Sequence, residues 1–261
     1  MMRSLFTAAT GMESQQITID TIANNLANVN TTAFKRSRAN FHDLLYQTLR
    51  SPGQNSTAGS ITPSGIQIGA GSKVSSVEKM FSEGPIKITN KTTDLIIKGE
   101  GFFRVQKDDG TLGYTRDGAF NFDNTGRLVN SSGFPLVPEI VIPEGITHDK
   151  VHFGLDGTVS VKVGGNTEEI GEILLANFIN PTGLDSLGRN MYGSTSASGE
   201  AVISKPNARG FGRIGQGELE SSNVNIVEEM VNMISGQRAY EISSKVIQTS
   251  DQMLQQTNNI R

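Results

Sequence analysis

Apolar residues recur at alternating steps of three and four along the first thirty residues of the chain. From Leu5 to Val29, seven of the eight positions on this spacing are apolar, and Gln15 is the exception. A heptad repeat of this length predicts an amphipathic helix. We call its apolar positions the N-terminal seam: Leu5, Ala8, Met12, Ile19, Ile22, Leu26 and Val29.

A second apolar stripe with helical spacing lies near the other end of the chain. Asn225 suits the N-cap of this helix, and Glu228 and Glu229 suit its first turn because acids are favoured there. Each stripe has two interpretations: an ordinary amphipathic helix on a globular core, or a surface that packs against the other stripe or against other subunits. We call the second stripe the C-terminal seam: Val227, Met230, Ile234, Ala239, Ile242, Val246 and Met253.

Between the seams the pattern changes to short β-favouring runs separated by turns. Apolar residues alternate from Val151 to Leu155 and again from Val159 to Val163, on either side of Asp156-Gly157. This arrangement predicts a β-hairpin, and the runs around Asp109-Gly110 predict another. By contrast, residues 51–71 are rich in Gly and Ser and carry no charge, which favours an extended linker.

These patterns together predict a mixed fold with four regions. An N-terminal helix over residues 1–36 pairs as a coiled coil with a C-terminal helix over residues 222–261. An extended linker covers residues 37–71. A central, mainly antiparallel β domain covers residues 72–221.

Composition excludes several classes of protein. The 261 residues include 23 basic and 26 acidic side chains, for a net charge of −3, whereas nucleic-acid binders usually show a basic excess. The absence of cysteine excludes disulfides, thiolate nucleophiles and Cys-ligated zinc. No apolar run approaches the roughly 20 residues of a membrane span, and residues 1–15 do not resemble a secretory signal peptide.

Motifs that carry chemistry are scarce. His148 and His152 are four residues apart but have no acidic partner pattern, so we expect no metal site there. Gly99-Glu100-Gly101 lacks the third glycine of a dinucleotide site. The basic residues from Lys35 to Arg38 are interpreted as a solvated helix end rather than as a phosphate site. We therefore expect no catalytic residue, no cofactor, no metal and no enzymatic activity.

Long motifs at both ends and in the middle resemble one family, the bacterial flagellar rod and hook proteins. Residues 20–35 contain Ile-Ala-Asn-Asn-Leu-Ala-Asn followed by Phe-Lys, similar to the family's N-terminal signature, although Ala33 stands where many members have Gly. Residues 94–137 resemble the shared β-domain motif, and residues 222–254 resemble the C-terminal helix. The signature residues here are Ala23, Asn24, Asn25, Asn28, Phe34 and Lys35.

One further segment separates branches of the family. It includes Tyr46, Pro52, Gly53 and Pro63, and it is similar to a rod-type segment of the members that build the distal part of the rod. Hook members lack this segment and are usually longer. The alternatives that stay open are another axial protein of the family, either proximal rod or hook, and a secreted β-rich binding module.

The resemblance implies a structural subunit of the distal rod in the flagellar basal body, crossing the periplasm. Copies would assemble into a hollow tubular drive shaft that transmits torque from motor to hook and lets exported subunits pass. The implied partners are copies of the chain itself, proximal rod proteins, the hook protein, periplasmic and outer-membrane ring proteins, and the flagellar type III export apparatus. Export would need no cleaved signal peptide, and neither nucleic acid nor membrane insertion is expected.

Overall fold

The computed structural model describes residues 2–53, 64–143, 150–163 and 166–259. The chain divides into two compact units. The first, which we call the helical unit, comprises residues 1–27, 37–79 and 225–261. The second, which we call the β unit, comprises residues 28–36 and 80–224.

The helical unit contains the two predicted helices, α1 (Met2–Ala27) and α2 (Ile226–Asn259). Asn225 caps α2 as predicted, because its Oδ1 accepts a hydrogen bond from the backbone N–H of Val227 at 3.1 Å. Helix α1 ends at Ala27, before Val29, because the chain turns there with a bond from Thr31 N–H to the Asn28 carbonyl. Neither described helix is long and apolar enough to cross a membrane.

Residues 37–79 differ from the prediction of an extended linker over 37–71, because most of the described residues form two antiparallel ribbons. Strand β1 pairs with β4, and β2 pairs with β3. Most of these side chains are exposed, so ladder hydrogen bonds rather than a buried apolar face hold the ribbons. Residues 54–63, with Pro63, lie outside the described residues. The strands are β1 (Ser37–Asp43), β2 (Tyr46–Arg50), β3 (Ile66–Gly69) and β4 (Ser72–Lys79).

The β unit is mainly antiparallel, as predicted. Its largest sheet has six strands in the order β15-β16-β8-β7-β14-β17. Its strands are β5 (Ile86–Ile88), β6 (Leu95–Lys98), β7 (Phe102–Gln106), β8 (Leu112–Thr115), β9 (Asn121–Phe122), β10 (Leu128–Val129), β11 (Val151–Phe153), β12 (Thr158–Val163), β13 (Asn166–Glu172), β14 (Leu175–Asn177), β15 (Asp185–Gly188), β16 (Met191–Gly193), β17 (Val202–Ser204), β18 (Arg213–Gln216) and β19 (Glu218–Glu220).

Both predicted hairpins are confirmed. Strands β7 and β8 pair across the Asp109-Gly110 turn, and β11 pairs with β12, with Val151 opposite Val161. Leu155 is exposed, because β11 ends at Phe153 and Leu155 lies in the turn that follows.

Strand β7 lies between two apolar clusters. Phe103 and Val105 belong to the larger cluster, whereas Phe102 belongs to a smaller aromatic cluster with Tyr114 and Phe178. The rings of Tyr114 and Phe178 meet edge to face with their centroids 4.8 Å apart. Because both faces of β7 are covered, its run of buried residues does not alternate with polar ones.

Candidate assembly surface

Helices α1 and α2 lie side by side and run antiparallel. Near one end of the contact the hydroxyl oxygens of Ser4 and Ser250 are 3.5 Å apart. Near the other end Asn25 Nδ2 donates to Glu229 Oε2 at 3.2 Å. Along the contact, residue numbers increase on α1 and decrease on α2, so the two helices are antiparallel.

Small residues line the contact between these two points. A Cβ placed on Gly236 of α2 would lie 3.4 Å from Ile19 Cγ1 of α1. A Cβ placed on Gly11 would lie 3.7 Å from Ser243 Oγ. A small side chain would therefore make only ordinary van der Waals contact at either level.

The N-terminal seam lies largely within the protein. Ala8 and Ile22 are buried. The remaining members are half-buried: Leu5, Met12, Ile19, Leu26 and Val29.

The C-terminal seam is mostly exposed to solvent. Val227 is 70% exposed and Ile242 is 65% exposed, whereas Ala239 is half-buried. The structure therefore brings α1 and α2 together through another side of α2, which presents Glu229 and small residues such as Gly236. We call the exposed apolar row the outer face of α2: Val227, Met230, Val231, Ile234, Ile242, Val246 and Met253.

The β2–β3 hairpin forms a second exposed apolar surface of the helical unit. Leu45, just before β2, is 89% exposed, and Tyr46 and Leu49 are also exposed. Pro52 and Gly53 form an exposed turn after β2, and Gly53 has a left-handed φ of 83°. Ile66 and Ile68 on β3 extend the exposed surface.

The signature residues do not share one environment. On α1, Ala23 and Asn24 are exposed, whereas Asn25 is buried. Beyond the helix, Asn28 Oδ1 accepts a hydrogen bond from the Thr31 hydroxyl at 3.2 Å. Phe34 is half-buried and Lys35 is fully buried.

Lys35 is the centre of a buried charge cluster in the β unit, so its interpretation as part of a solvated helix end is wrong. Its Nζ lies 2.6 Å from Glu220 Oε1 and donates to the Ser82 carbonyl at 2.7 Å. Arg116 Nε lies 3.1 Å from the other carboxylate oxygen of Glu220. A backbone N–H, that of Gly84, also donates to Glu220 Oε1 at 2.8 Å. Burial of Lys35 is possible because Glu220, distant in sequence, supplies the opposite charge.

The electrostatics of this cluster follow from its burial. Desolvation lowers the pKa of Lys35, although Glu220 opposes that shift. Burial alone would raise the pKa of Glu220, but Arg116 and Lys35 together hold that pKa below its ordinary value. Glu220 is therefore an anion held between two buried cations.

Comparison with known proteins follows the same three regions of the chain. A model of flagella basal body rod proteins matches residues 5–35, a model of the flagellar hook protein FlgE/F/G D1 domain matches residues 96–161, and a model of the flagellar basal body rod FlgEFG protein C-terminal region matches residues 216–260. The chain is 49% identical to the flagellar basal-body rod protein FlgG of Buchnera aphidicola subsp. Schizaphis graminum over all of both chains. The chain belongs to the flagellar basal-body rod protein family.

Further relatives in this family come from distant bacteria. The chain is 47% identical to FlgG of Borreliella burgdorferi, over all of this chain and 99% of that one. It is 39% identical to FlgG of Bacillus subtilis over all of both chains. The family is one of structural proteins of the flagellar basal body and not of enzymes, so the chain is a structural rod subunit of the bacterial flagellum.

The buried charge cluster combines one residue from each of the three regions that the family models match. Lys35, Arg116 and Glu220 each lie in a different matched region. From the sequence, Lys35 was identified as a signature residue and interpreted as part of a solvated helix end, and the other two residues were missed. No local pattern marks Arg116 or Glu220. Lys35, Arg116 and Glu220 are far apart in sequence, and only the fold brings the three together.

Proposed function

We propose that copies of this chain assemble through the outer face of α2 into the hollow tubular drive shaft of the distal rod. The observation that carries the proposal is the row of exposed large apolar residues on α2, with Val227 and Ile242 the most exposed. Contiguous apolar surface of this kind marks protein–protein contacts.

The energetics favour association over exposure. Full burial of one Val, Ile or Met side chain is worth about 1.5–3 kcal/mol, so a row of seven supplies a large driving force. In the proposed rod, α1 and α2 pair as a coiled coil and form a layer around an axial channel. Contacts between different surfaces of successive copies generate a helical filament when the rotation between copies does not close a ring, as we propose for this shaft.

The assembled shaft would serve two mechanical purposes. It would transmit torque from the motor to the hook, and its bore would let exported subunits pass. Broad apolar contacts between rigid helices suit both, since neither needs a catalytic pocket.

The exposed β2–β3 hairpin is proposed to bridge neighbouring subunits and stiffen the shaft. Its side chains at Tyr46, Leu49 and Ile66 are exposed in the single chain, so a neighbour can cover them. The position of this hairpin in the rod-type segment supports the distal rod over the hook.

Other flagellar components complete the proposed setting. The shaft would join proximal rod proteins at one end and the hook protein at the other, and it would turn within periplasmic and outer-membrane rings. The chain would leave the cell through the flagellar type III export apparatus without a cleaved signal peptide.

The experiment replaces one residue of the outer face and images the rods. Ile242→Asp places a charge in the proposed interface, so basal bodies from the variant should lack a complete distal rod and the cells should lose motility. Asn232→Asp is the matched control, because Asn232 is exposed on α2 outside the outer face. Normal rods in the Ile242→Asp strain, at wild-type protein level, would overturn the proposal.

A second arm tests the hairpin. Deletion of residues 46–69 should give rods with altered length or straightness while the β unit stays folded. Rods of unchanged length and straightness would remove the hairpin from the proposal without affecting the outer face of α2.

A further inference from the structure

The contact between α1 and α2 includes a set of small and polar residues that repeat every seven positions, beside apolar residues such as Ile19. Contacts at Ser4–Ser250, Gly11–Ser243 and Asn25–Glu229 place three pairs of this row at matching levels, and Gly236 lies against Ile19, the residue next to Thr18. We call this the small-residue row. Its members are Ser4, Gly11, Thr18 and Asn25 on α1, and Glu229, Gly236, Ser243 and Ser250 on α2.

Most of this row cannot distinguish one pairing register from another. A slide of α2 by seven residues would place Ser250 opposite Gly11 and Ser243 opposite Thr18. Small residues would again meet small residues, and the helices would approach just as closely. The size of these residues therefore does not by itself distinguish the two registers.

The pair of Asn25 and Glu229 breaks this degeneracy. Asn25 is 1% exposed and donates through Nδ2 to Glu229 Oε2 at 3.2 Å. After the slide, Gly236 would stand opposite Asn25 and offers no side chain to accept that bond. A buried polar group without its partner is costly, so the slipped register is penalised.

Asn25 also connects the helix pair to the first ribbon. Its Nδ2 donates to the Ser37 carbonyl at 2.9 Å, and its Oδ1 accepts from the Ser37 N–H at 2.8 Å. Ser37 is the first residue of β1. A single buried amide therefore touches α1, α2 and β1 within the helical unit.

We propose that Asn25 and Glu229 are positioning residues that select the antiparallel register of α1 and α2. A buried polar pair in a heptad interface has this role in general, because it costs little in the correct register and much in any other. The inference concerns the single chain and does not depend on assembly.

The test uses disulfide trapping in the full-length chain, which has no cysteine of its own. One reporter carries Gly11→Cys with Ser243→Cys, which face each other in the observed register. The other carries Gly11→Cys with Ser250→Cys, which face each other only after the seven-residue slide. Each reporter is oxidised mildly as dilute protein, and mass spectrometry gives the fraction that forms its intrachain disulfide. The measured ratio is the fraction for the 11–243 disulfide divided by the fraction for the 11–250 disulfide.

The observed register predicts that the 11–243 disulfide dominates in the wild-type background. Asn25→Leu with Glu229→Leu replaces the polar pair by apolar residues, so the helices stay paired while the ratio falls about tenfold or more. Circular dichroism confirms that helix content is kept. Glu229→Gln keeps an acceptor for the Asn25 amide and should preserve the wild-type ratio.

The controls make the outcome decisive. Asn232→Leu is the same substitution at an exposed site on α2, and it should leave the ratio unchanged. An unchanged ratio in the Leu–Leu variant would overturn the proposal, because it would show that the rest of the row selects the register. The absence of both disulfides in the wild-type background would overturn it as well.

Discussion

The two units of the chain use their apolar residues in opposite ways. The β unit buries two clusters of large side chains that include Phe103 and Leu175, although Ile88 and Ile179 are exposed. The helical unit places Ser14, Asn25 and Ser250 inside and exposes Ile242 and its neighbours on α2. The difference teaches that the β unit builds its large apolar cores within the single chain, whereas the helical unit leaves a row of apolar residues on α2 exposed to solvent.

A parallel difference holds for charge. The pair of Lys35 and Glu220 in the β unit is buried, whereas the pair of Arg38 and Glu78 in the helical unit is accessible to water, as is the pair of Lys205 and Glu172 in the β unit. The first two pairs both have a nitrogen–oxygen distance of 2.6 Å. Their environments, rather than their lengths, should therefore decide what each contributes to stability.

The largest effect is expected from Glu220→Gln in the β unit. The change leaves Lys35 and Arg116 as buried cations without their shared anion, and breaking a buried pair costs about 3–5 kcal/mol. Urea unfolding of the full chain, followed by a probe of the β sheet, measures the loss. The same substitution at exposed Glu169 is the control and should change little.

The effect of Glu220→Gln should also depend on pH. The folded pKa of Glu220 lies below the ordinary value of 4.5, so its contribution is present above about pH 4.5. That contribution is lost as pH falls through the lower folded pKa. The difference in unfolding free energy between wild type and variant should therefore shrink in acid, and a difference that grows in acid would contradict this assignment.

A second prediction compares two isoleucines of the helical unit. Ile22→Ala removes a buried side chain from α1 and should cost about 2–4 kcal/mol locally. Ile242→Ala trims an exposed side chain of α2 and should leave the dilute single chain nearly unchanged. Hydrogen exchange of helix amides in dilute protein separates the two variants, since it reports local opening. Equal losses of protection would refute the division into inner and outer faces.

The sequence predicts the elements of this fold that depend on local signals and misses those that do not. Both helices, the Asn225 cap and the hairpin at Val151 were predicted, because each depends on neighbours within a few residues. The ribbons over residues 37–79 were not predicted, since exposed strands such as β2 lack the apolar alternation that marks a buried face.

For the candidate site too, the sequence predicts local features but not which surfaces meet in the fold. The apolar seams were visible in the sequence, but which of them faces inward depends on how α1 meets α2. The spacing of seven through Ser4, Gly11, Thr18 and Asn25 was a usable signal for the inner contact, although small residues attract less attention than apolar ones. At Ala33, where many family members have Gly, the backbone has a left-handed φ of 56° that alanine rarely adopts, so the fold imposes it.

The smallest effect is expected from Glu78→Gln, the counterpart of Glu220→Gln in the helical unit. Arg38 and Glu78 form an exposed pair across β1 and β4, where water screens the attraction and two long side chains lose freedom to meet. The variant should unfold within experimental error of wild type, and any residual difference should vanish at 1 M salt. A loss that matched Glu220→Gln and persisted in salt would mean that burial does not separate the two pairs, and the contrast between the units would then have to be explained by backbone contacts instead.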